Sequence, residues 1–239
     1  MSEMVRRFLR QKLTSVGIWI ALGLLCLLAA IPLNSNQGLG PAATLAILIL
    51  AAGSVSRDIG SGALQMILSR PLTRLEYLFG RYIGILLAYS IFLVSTVAIA
   101  FALGRLAIRL ATVYSGPVFS LSAASHAILE AFSAGALLAA IVLFFSTFLR
   151  GWGDVLALII ATVLLASTQP LGFALNKPGI AKAGQIAIQN LYPSLPWDSL
   201  LQGRQILSEA SGRYVLALCV YFVIAAVVFT RREFSYGQD

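Results

Sequence analysis

The sequence contains few of the residues that soluble enzymes and metal proteins rely on. Of its 239 residues 11% are charged, and it has one histidine and two cysteines. A soluble domain contains about 25% charged residues, so this chain cannot cover a water-facing surface with polar groups. Cys26 and Cys219 lie inside apolar stretches, and His126 has no Cys or His at ligand spacing. We therefore predict no metal site and no catalytic residues in this chain.

Acidic residues are also scarce. Asp and Glu together number 9 against 17 Lys and Arg, which gives a net charge of +8. The basic residues do not alternate with aromatic residues, as they do in a surface that binds nucleic acid. In a membrane protein, basic residues mark cytoplasmic loops and contact anionic head groups. We expect the lipid bilayer, and no nucleic acid, as a partner.

Long hydrophobic runs dominate what is present, with 59% hydrophobic residues and a mean hydropathy of +0.89. About 20 apolar residues span a bilayer, and lipid requires such a segment to be helical. Six apolar blocks cover approximately residues 15–33, 41–55, 82–103, 125–148, 154–174 and 214–230. The sequence therefore predicts an all-α polytopic membrane protein, with six transmembrane helices in one domain over residues 1–239.

The distribution of basic residues predicts the orientation. With both ends inside the cell, eleven of the 17 Lys and Arg residues fall in inner segments and six in outer ones. The basic start followed by an apolar run resembles a signal peptide, but the run from Val16 to Leu33 is long for a cleaved one. We expect a retained first span, a bacterial inner (cytoplasmic) membrane location and two cytoplasmic termini.

Two segments outside the blocks are amphipathic. Residues 1–14 place apolar residues on one helical face and basic residues on the rest, which predicts an interfacial helix; a basic tail is the alternative. Residues 171–213 form a long outer loop in which short helices are expected. Its Tyr192 and Trp197 favour the outer head-group level, and either a re-entrant pair of half-helices or a plain surface loop fits.

The inner loop over residues 56–75 is the most informative stretch. Leu64 and Leu68 lie on the apolar stripe of a short helix, and Pro71 ends that helix because its ring forbids continuation. A new helix begins at Arg74 and leads into the third block. The loop therefore places a short amphipathic helix on the cytoplasmic surface between two spans, although a solvated loop whose arginines set the topology would share this pattern.

This stretch resembles the type-two ABC transporter permeases. Their pattern is an acidic residue, a small residue with Gly, a Leu-rich turn, Pro, Arg, and a Gly followed by Lys or Arg. The matching residues are, in order, Asp58, Gly62, Leu64, Leu68, Pro71, Arg74, Gly80 and Arg81. The family more often has Glu at the acidic position. The interfacial helix, six spans and long outer segment also resemble that family.

The resemblance implies the membrane subunit of an ATP-driven exporter. In that family two permeases, identical or paralogous, pair with two soluble ATP-binding-cassette ATPase subunits, and the loop helix docks on the ATPase as a coupling helix. The implied coupling residues are Arg57, Asp58, Gly62, Leu64, Leu68, Arg70, Pro71, Arg74, Gly80 and Arg81. The chain has no Gly-x-x-x-x-Gly-Lys-Ser/Thr loop. We therefore expect no cofactor on this chain, with ATP and Mg on the partner.

Glu130 and His126 are candidates for a substrate path. They lie four residues apart in the fourth block, so they share a helix face. A carboxylate within a span is a functional candidate by default, although a hydrogen bond near the outer interface would also explain it. An integral membrane enzyme acting on lipid, or a non-transporting membrane scaffold, remains the alternative function. The scattered acids and single histidine disfavour the enzyme.

Overall fold

The computed structural model describes residues 16–34, 39–55, 58, 73–110, 121–149, 153–174, 178–201 and 208–231. Within these residues the regular structure is helical and no strand occurs, which confirms the all-α prediction. The predicted interfacial helix over residues 1–14 and most of the loop over residues 56–75 lie outside the described residues.

The helices follow the apolar blocks of the sequence. They are α1 (Val16–Asn34), α2 (Gly40–Ala51), α3 (Arg74–Leu110), α4 (Leu121–Phe148), α5 (Gly153–Ala174), α6 (Pro178–Leu191), α7 (Trp197–Leu201) and α8 (Glu209–Arg231). Pro41 lies in the first turn of α2, where its missing N–H costs no helical hydrogen bond.

Three helices are long and apolar enough to cross a membrane, namely Arg74–Arg105, Ala124–Phe148 and Glu209–Arg231. Shorter apolar helical segments cover Gly17–Ala30, Ala42–Ala51 and Gly153–Leu164. Large apolar side chains also lie on the outside, because Ile20, Val94 and Leu216 are 68%, 67% and 66% exposed. An exposed apolar surface of this extent is unfavourable in water. These features indicate a membrane protein.

Helix α4 lies at the centre of the bundle. It packs against α2, α3, α5, α7 and α8, while α1 packs against α2 and α3. Ala139 and Ala140 of α4 are completely or almost completely buried. Such small side chains let helix backbones approach closely, which is how helices associate in lipid. The central helix thereby packs against helices that precede it and helices that follow it in the chain.

Helices α5 and α6 form a closely packed pair. A Cβ added at Gly184 of α6 would lie 1.7 Å from Thr168 Oγ1 of α5, so only glycine fits there. After α6, Tyr192 Oη and Thr162 Oγ1 are 3.1 Å apart, and Trp197 Nε1 donates to Ser133 Oγ over 3.0 Å. Ser133 lies about 18 Å from the start of α4 at about 1.5 Å per residue. The segment from α6 to α7 therefore runs alongside α5 and α4.

Candidate functional site

Five helices meet at one end of the bundle. Helices α2, α4 and α8 end there, while α3 and α5 begin there. Direct hydrogen bonds join the turn after α2 to α4 and α5, and the start of α3 to the end of α8. We call this the loop end, because residues 56–72 connect α2 to α3 there.

A buried polar cluster joins Asp58, which follows α2 in the chain, to two residues of α3. Tyr77 Oη donates a hydrogen bond of 2.6 Å to Asp58 Oδ2, and Arg81 Nη2 forms an ion pair with the same oxygen. Arg81 Nε donates to Tyr77 Oη over 3.3 Å. The side chains of Asp58 and Arg81 are each 6% exposed. Tyr77 and Arg81 are four residues apart and so share one face of α3.

Arg74 connects the start of α3 to the end of α8. Its Nη1 donates to the carbonyl of Thr230 over 2.7 Å and to that of Phe229 over 3.4 Å. The last carbonyls of a helix have no partner within the helix, and a cation is favourable at this end of the helix dipole. The Tyr77 ring also stacks on Phe229, with 5.7 Å between centroids. These contacts fix the two helices to each other.

The turn after α2 is held by the helices α4 and α5. Gly53 has a φ of 62°, which favours glycine, and its N–H donates to Asp154 Oδ2 over 2.9 Å. Asp154 Oδ1 accepts from the N–H of Val155 at the start of α5 over 2.8 Å. Ser146 Oγ of α4 accepts from the N–H of Val55 over 3.2 Å. Asp154 is fully buried, so it acts as a cap and a tether.

The structure describes some of the predicted coupling residues and brings several of them together. Asp58 and Arg81 come from opposite ends of the motif and form the buried pair, while Arg74 contacts the end of α8 and Gly80 is buried in α3. The remaining predicted coupling residues lie outside the described residues, and these are Arg57, Gly62, Leu64, Leu68, Arg70 and Pro71.

Several residues of this site are not among those predicted from the sequence. The spacing of Tyr77 to Arg81 was a usable signal, because residues four apart share a helix face. The contact of Arg74 with Thr230 had no such signal, since it joins positions 156 residues apart. Asp154 likewise joins distant positions, because one of its oxygens caps α5 and the other holds Gly53, 101 residues away.

The two candidate residues of the substrate path lie elsewhere on α4. Glu130 is exposed on the surface of the isolated chain and lines a cavity between α2, α3 and α4. His126 lies one turn earlier and is half-buried. It is not among the described residues that line this cavity.

The polar groups at the loop end join the ends of neighbouring helices. Among the described residues, no three His, Cys, Asp or Glu side chains are placed to hold a metal ion. The charged groups at the loop end pair with each other and with backbone groups of neighbouring helices. This arrangement holds helix ends in fixed positions.

No known family model matches this chain, and no curated protein matches it.

Proposed function

We propose that this chain is the membrane-spanning permease subunit of an ATP-binding-cassette transporter. It moves substrate outward, and a separate soluble ATPase that binds ATP and Mg drives it. Two permeases, either two copies of this chain or this chain and a paralogue, form the transmembrane part. The three long apolar helices and the three shorter apolar segments would give six spans in a bacterial inner membrane, with both termini cytoplasmic.

The buried pair between Asp58 and Arg81 is the observation that carries this proposal. It joins the two ends of the motif-bearing connection with both charges shielded from water. Breaking one partner of such a pair is costly because a buried charge is left uncompensated. A force applied to the residues between Asp58 and Arg81 would therefore move the helix ends that this pair holds. That is the property that a coupling segment requires.

The anchors distribute such a force over the bundle. The Asp58–Arg81 pair and Tyr77 would transfer the force to α3, and Arg74 would transfer it to the end of α8. Asp154 and Ser146 hold the turn after α2 against α5 and α4. Because α4 packs against most other helices, movement at the loop end reaches the region of Glu130 and His126. We assign these two residues to the substrate path.

Replacing Arg74 with Glu tests the mechanical role. The substitution places a negative charge against the carbonyls of Phe229 and Thr230, so the hydrogen bonds of residue 74 to the end of α8 are lost. We expect the variant to insert normally and to bind the ATPase. In proteoliposomes, ATP hydrolysis should continue while transport per ATP hydrolysed falls at least several-fold.

Arg105→Glu provides the control. Arg105 is an exposed residue near the other end of α3 and lies over the ring of Phe101, so reversing its charge leaves the loop end intact. Transport per ATP should be unchanged in this variant. Unaltered coupling in Arg74→Glu would contradict the proposed transmission. Purification of the native chain from mild detergent without any nucleotide-hydrolysing subunit would contradict the function as a whole.

A further inference from the structure

A cavity of 290 Å³ lies between α2, α3 and α4. Buried residues form its floor, and these are Leu39, Ala43, Ile47 and Tyr89. Exposed residues form its mouth, and these are Thr44, Glu130 and Ala134. The cavity therefore opens on the outer surface of the isolated bundle, with a carboxyl group at the opening and apolar walls behind it.

The floor of this cavity is fixed by packing. Tyr89 Oη donates to the carbonyl of Ala131 over 3.1 Å, and the ring stacks on Phe92 with 6.1 Å between centroids. A Cβ added at Gly135 would lie 2.3 Å from the Tyr89 ring, so the ring fills the space that glycine leaves. The cavity is consequently preformed, and the Tyr89 hydroxyl is already engaged by the protein.

Glu130 sets the chemistry of the mouth. It is the only one of the described lining residues with a carboxyl group, and it lies about 14 Å from the start of α4 at about 1.5 Å per residue. A carboxylate at membrane depth is unfavourable unless a cation compensates it. The adjoining walls contain Ala43, Ile47 and Leu138, which favour hydrocarbon over a hydrated metal ion.

We propose that this cavity binds the ammonium head of a cationic amphiphile, with Glu130 as the counter-ion. Pockets that enclose a whole drug-sized ligand measure about 300 to 1,000 Å³, so this cavity is at the lower end of that range and suits the head group and its first carbons. The remaining chain leaves through the exposed mouth toward lipid. The inference rests on the proposed place of Glu130 in the substrate path and names the class of substrate.

Equilibrium dialysis of radiolabelled decylammonium against the purified full chain tests this site. Dodecyl maltoside serves as the detergent because its head group carries no charge. We expect one saturable site per chain. In Glu130→Gln the dissociation constant should rise by about 10-fold or more, because a charge-assisted contact is lost. Ala134→Leu keeps the carboxyl group and narrows the mouth, so it should weaken binding as well. Decanol, which has the chain without the charge, should show no saturable binding.

Glu209→Gln is the matched control, because Glu209 is an exposed carboxylate of α8 that pairs with Arg213 and does not line the cavity. It should bind decylammonium as the native chain does. Equal affinity in Glu130→Gln, or saturable binding of decanol, would overturn the site. The measurement involves no ATPase, so its failure leaves the proposed coupling role standing. Conversely, the site survives if no ATPase partner exists.

Discussion

The contrast between two ion pairs shows what burial does at the scale of single residues. Asp58 and Arg81 form a pair whose side chains are each 6% exposed. Glu209 and Arg213 form a pair within α8 whose side chains are 80% and 52% exposed. An exposed pair contributes about 0–1 kcal/mol, whereas removing one partner of a buried pair costs about 3–5 kcal/mol. Removing one charge should therefore cost more free energy at the loop end than at the start of α8.

This contrast predicts the stability of single variants. Asp58→Asn leaves the Arg81 guanidinium buried without its counter-charge, so we expect the free energy of unfolding to fall by roughly 3–5 kcal/mol. Arg213→Met, the control in the exposed pair, should lower it by less than about 1 kcal/mol. Unfolding by SDS titration, followed by circular dichroism, measures both values.

A double variant separates the pair from its surroundings. In Asp58→Asn with Arg81→Met no charge of this pair remains buried, so the loss should be smaller than the sum of the two single losses. Strictly additive losses would show that each residue acts through other contacts, such as the hydrogen bond between Asp58 and Tyr77. The double variant should also still insert, because its apolar blocks are unchanged.

At the scale of elements, glycine decides how closely α6 approaches α5. Gly184 faces Thr168, and a methyl group at position 184 would lie 1.7 Å from Thr168 Oγ1. Gly179 lies in the same helix, and a methyl group added there would meet nothing within 4 Å. Two glycines of one helix thus differ in what they allow: one permits a close helix contact and the other faces open space.

We expect Gly184→Ala to loosen α6 from α5. Overpacking costs about 1–3 kcal/mol, which corresponds to a rise of about 5-fold or more in the population of the detached helix. Limited digestion with trypsin measures this, because Lys182 of α6 is exposed and is cleaved faster when the helix opens. Gly179→Ala is the control and should be cleaved at the native rate.

A compensating substitution makes the explanation specific. Thr168→Ala removes Oγ1 and Cγ2, which lie 1.7 and 3.5 Å from the added methyl group, and leaves Cβ at 2.7 Å. Combined with Gly184→Ala it should therefore restore part of the resistance to trypsin. No recovery would mean that the helix is destabilised for a reason other than this contact.

The elements also show what the sequence could predict. Hydropathy located the six blocks and placed the third at residues 82–103. The helix start predicted at Arg74 is confirmed, whereas the far end of the helix, at Leu110, lies beyond the block. Hydropathy marks the part of a helix that suits lipid, whereas helix ends depend on caps and partners. The N–H of Thr73 donates to the Glu76 carboxylate over 2.9 Å, and this capping interaction defines the start of α3. The pairing of Asp58 with Arg81 and the contact of Arg74 with the end of α8 could not be predicted without the fold, because they join residues distant in the sequence.

At the scale of the whole molecule, the shorter apolar helices decide how often the chain crosses the bilayer. Three helices are long enough by themselves. The other three present strongly exposed apolar side chains, such as Leu24 at 60% and Val163 at 60% exposure. If these helices lay in water, such surfaces would be unfavourable. We therefore favour six spans over three.

The two arrangements differ in the sides on which the termini lie. Six spans return the chain to its starting side, whereas three spans place the termini on opposite sides. We expect single cysteines introduced by Ser2→Cys and Gln238→Cys, in a chain carrying Cys26→Ala and Cys219→Ser, to behave alike. A membrane-impermeant maleimide should label neither variant in intact cells and both after permeabilisation. Ser115→Cys, between α3 and α4, should be labelled in intact cells, which shows that the reagent reaches the outer face.

The result at the C-terminus decides between the arrangements. If the chain crossed the membrane only with α3, α4 and α8, the Gln238→Cys variant would be labelled in intact cells while the Ser2→Cys variant would not. The excess of basic residues near both termini and in the inner loop opposes that arrangement. It would also place Arg74 and the end of α8 on opposite faces of the bilayer, although the two are joined by a hydrogen bond of 2.7 Å. We therefore expect labelling of both termini from the same side, because the hydrogen bond of Arg74 places the start of α3 and the end of α8 on one side.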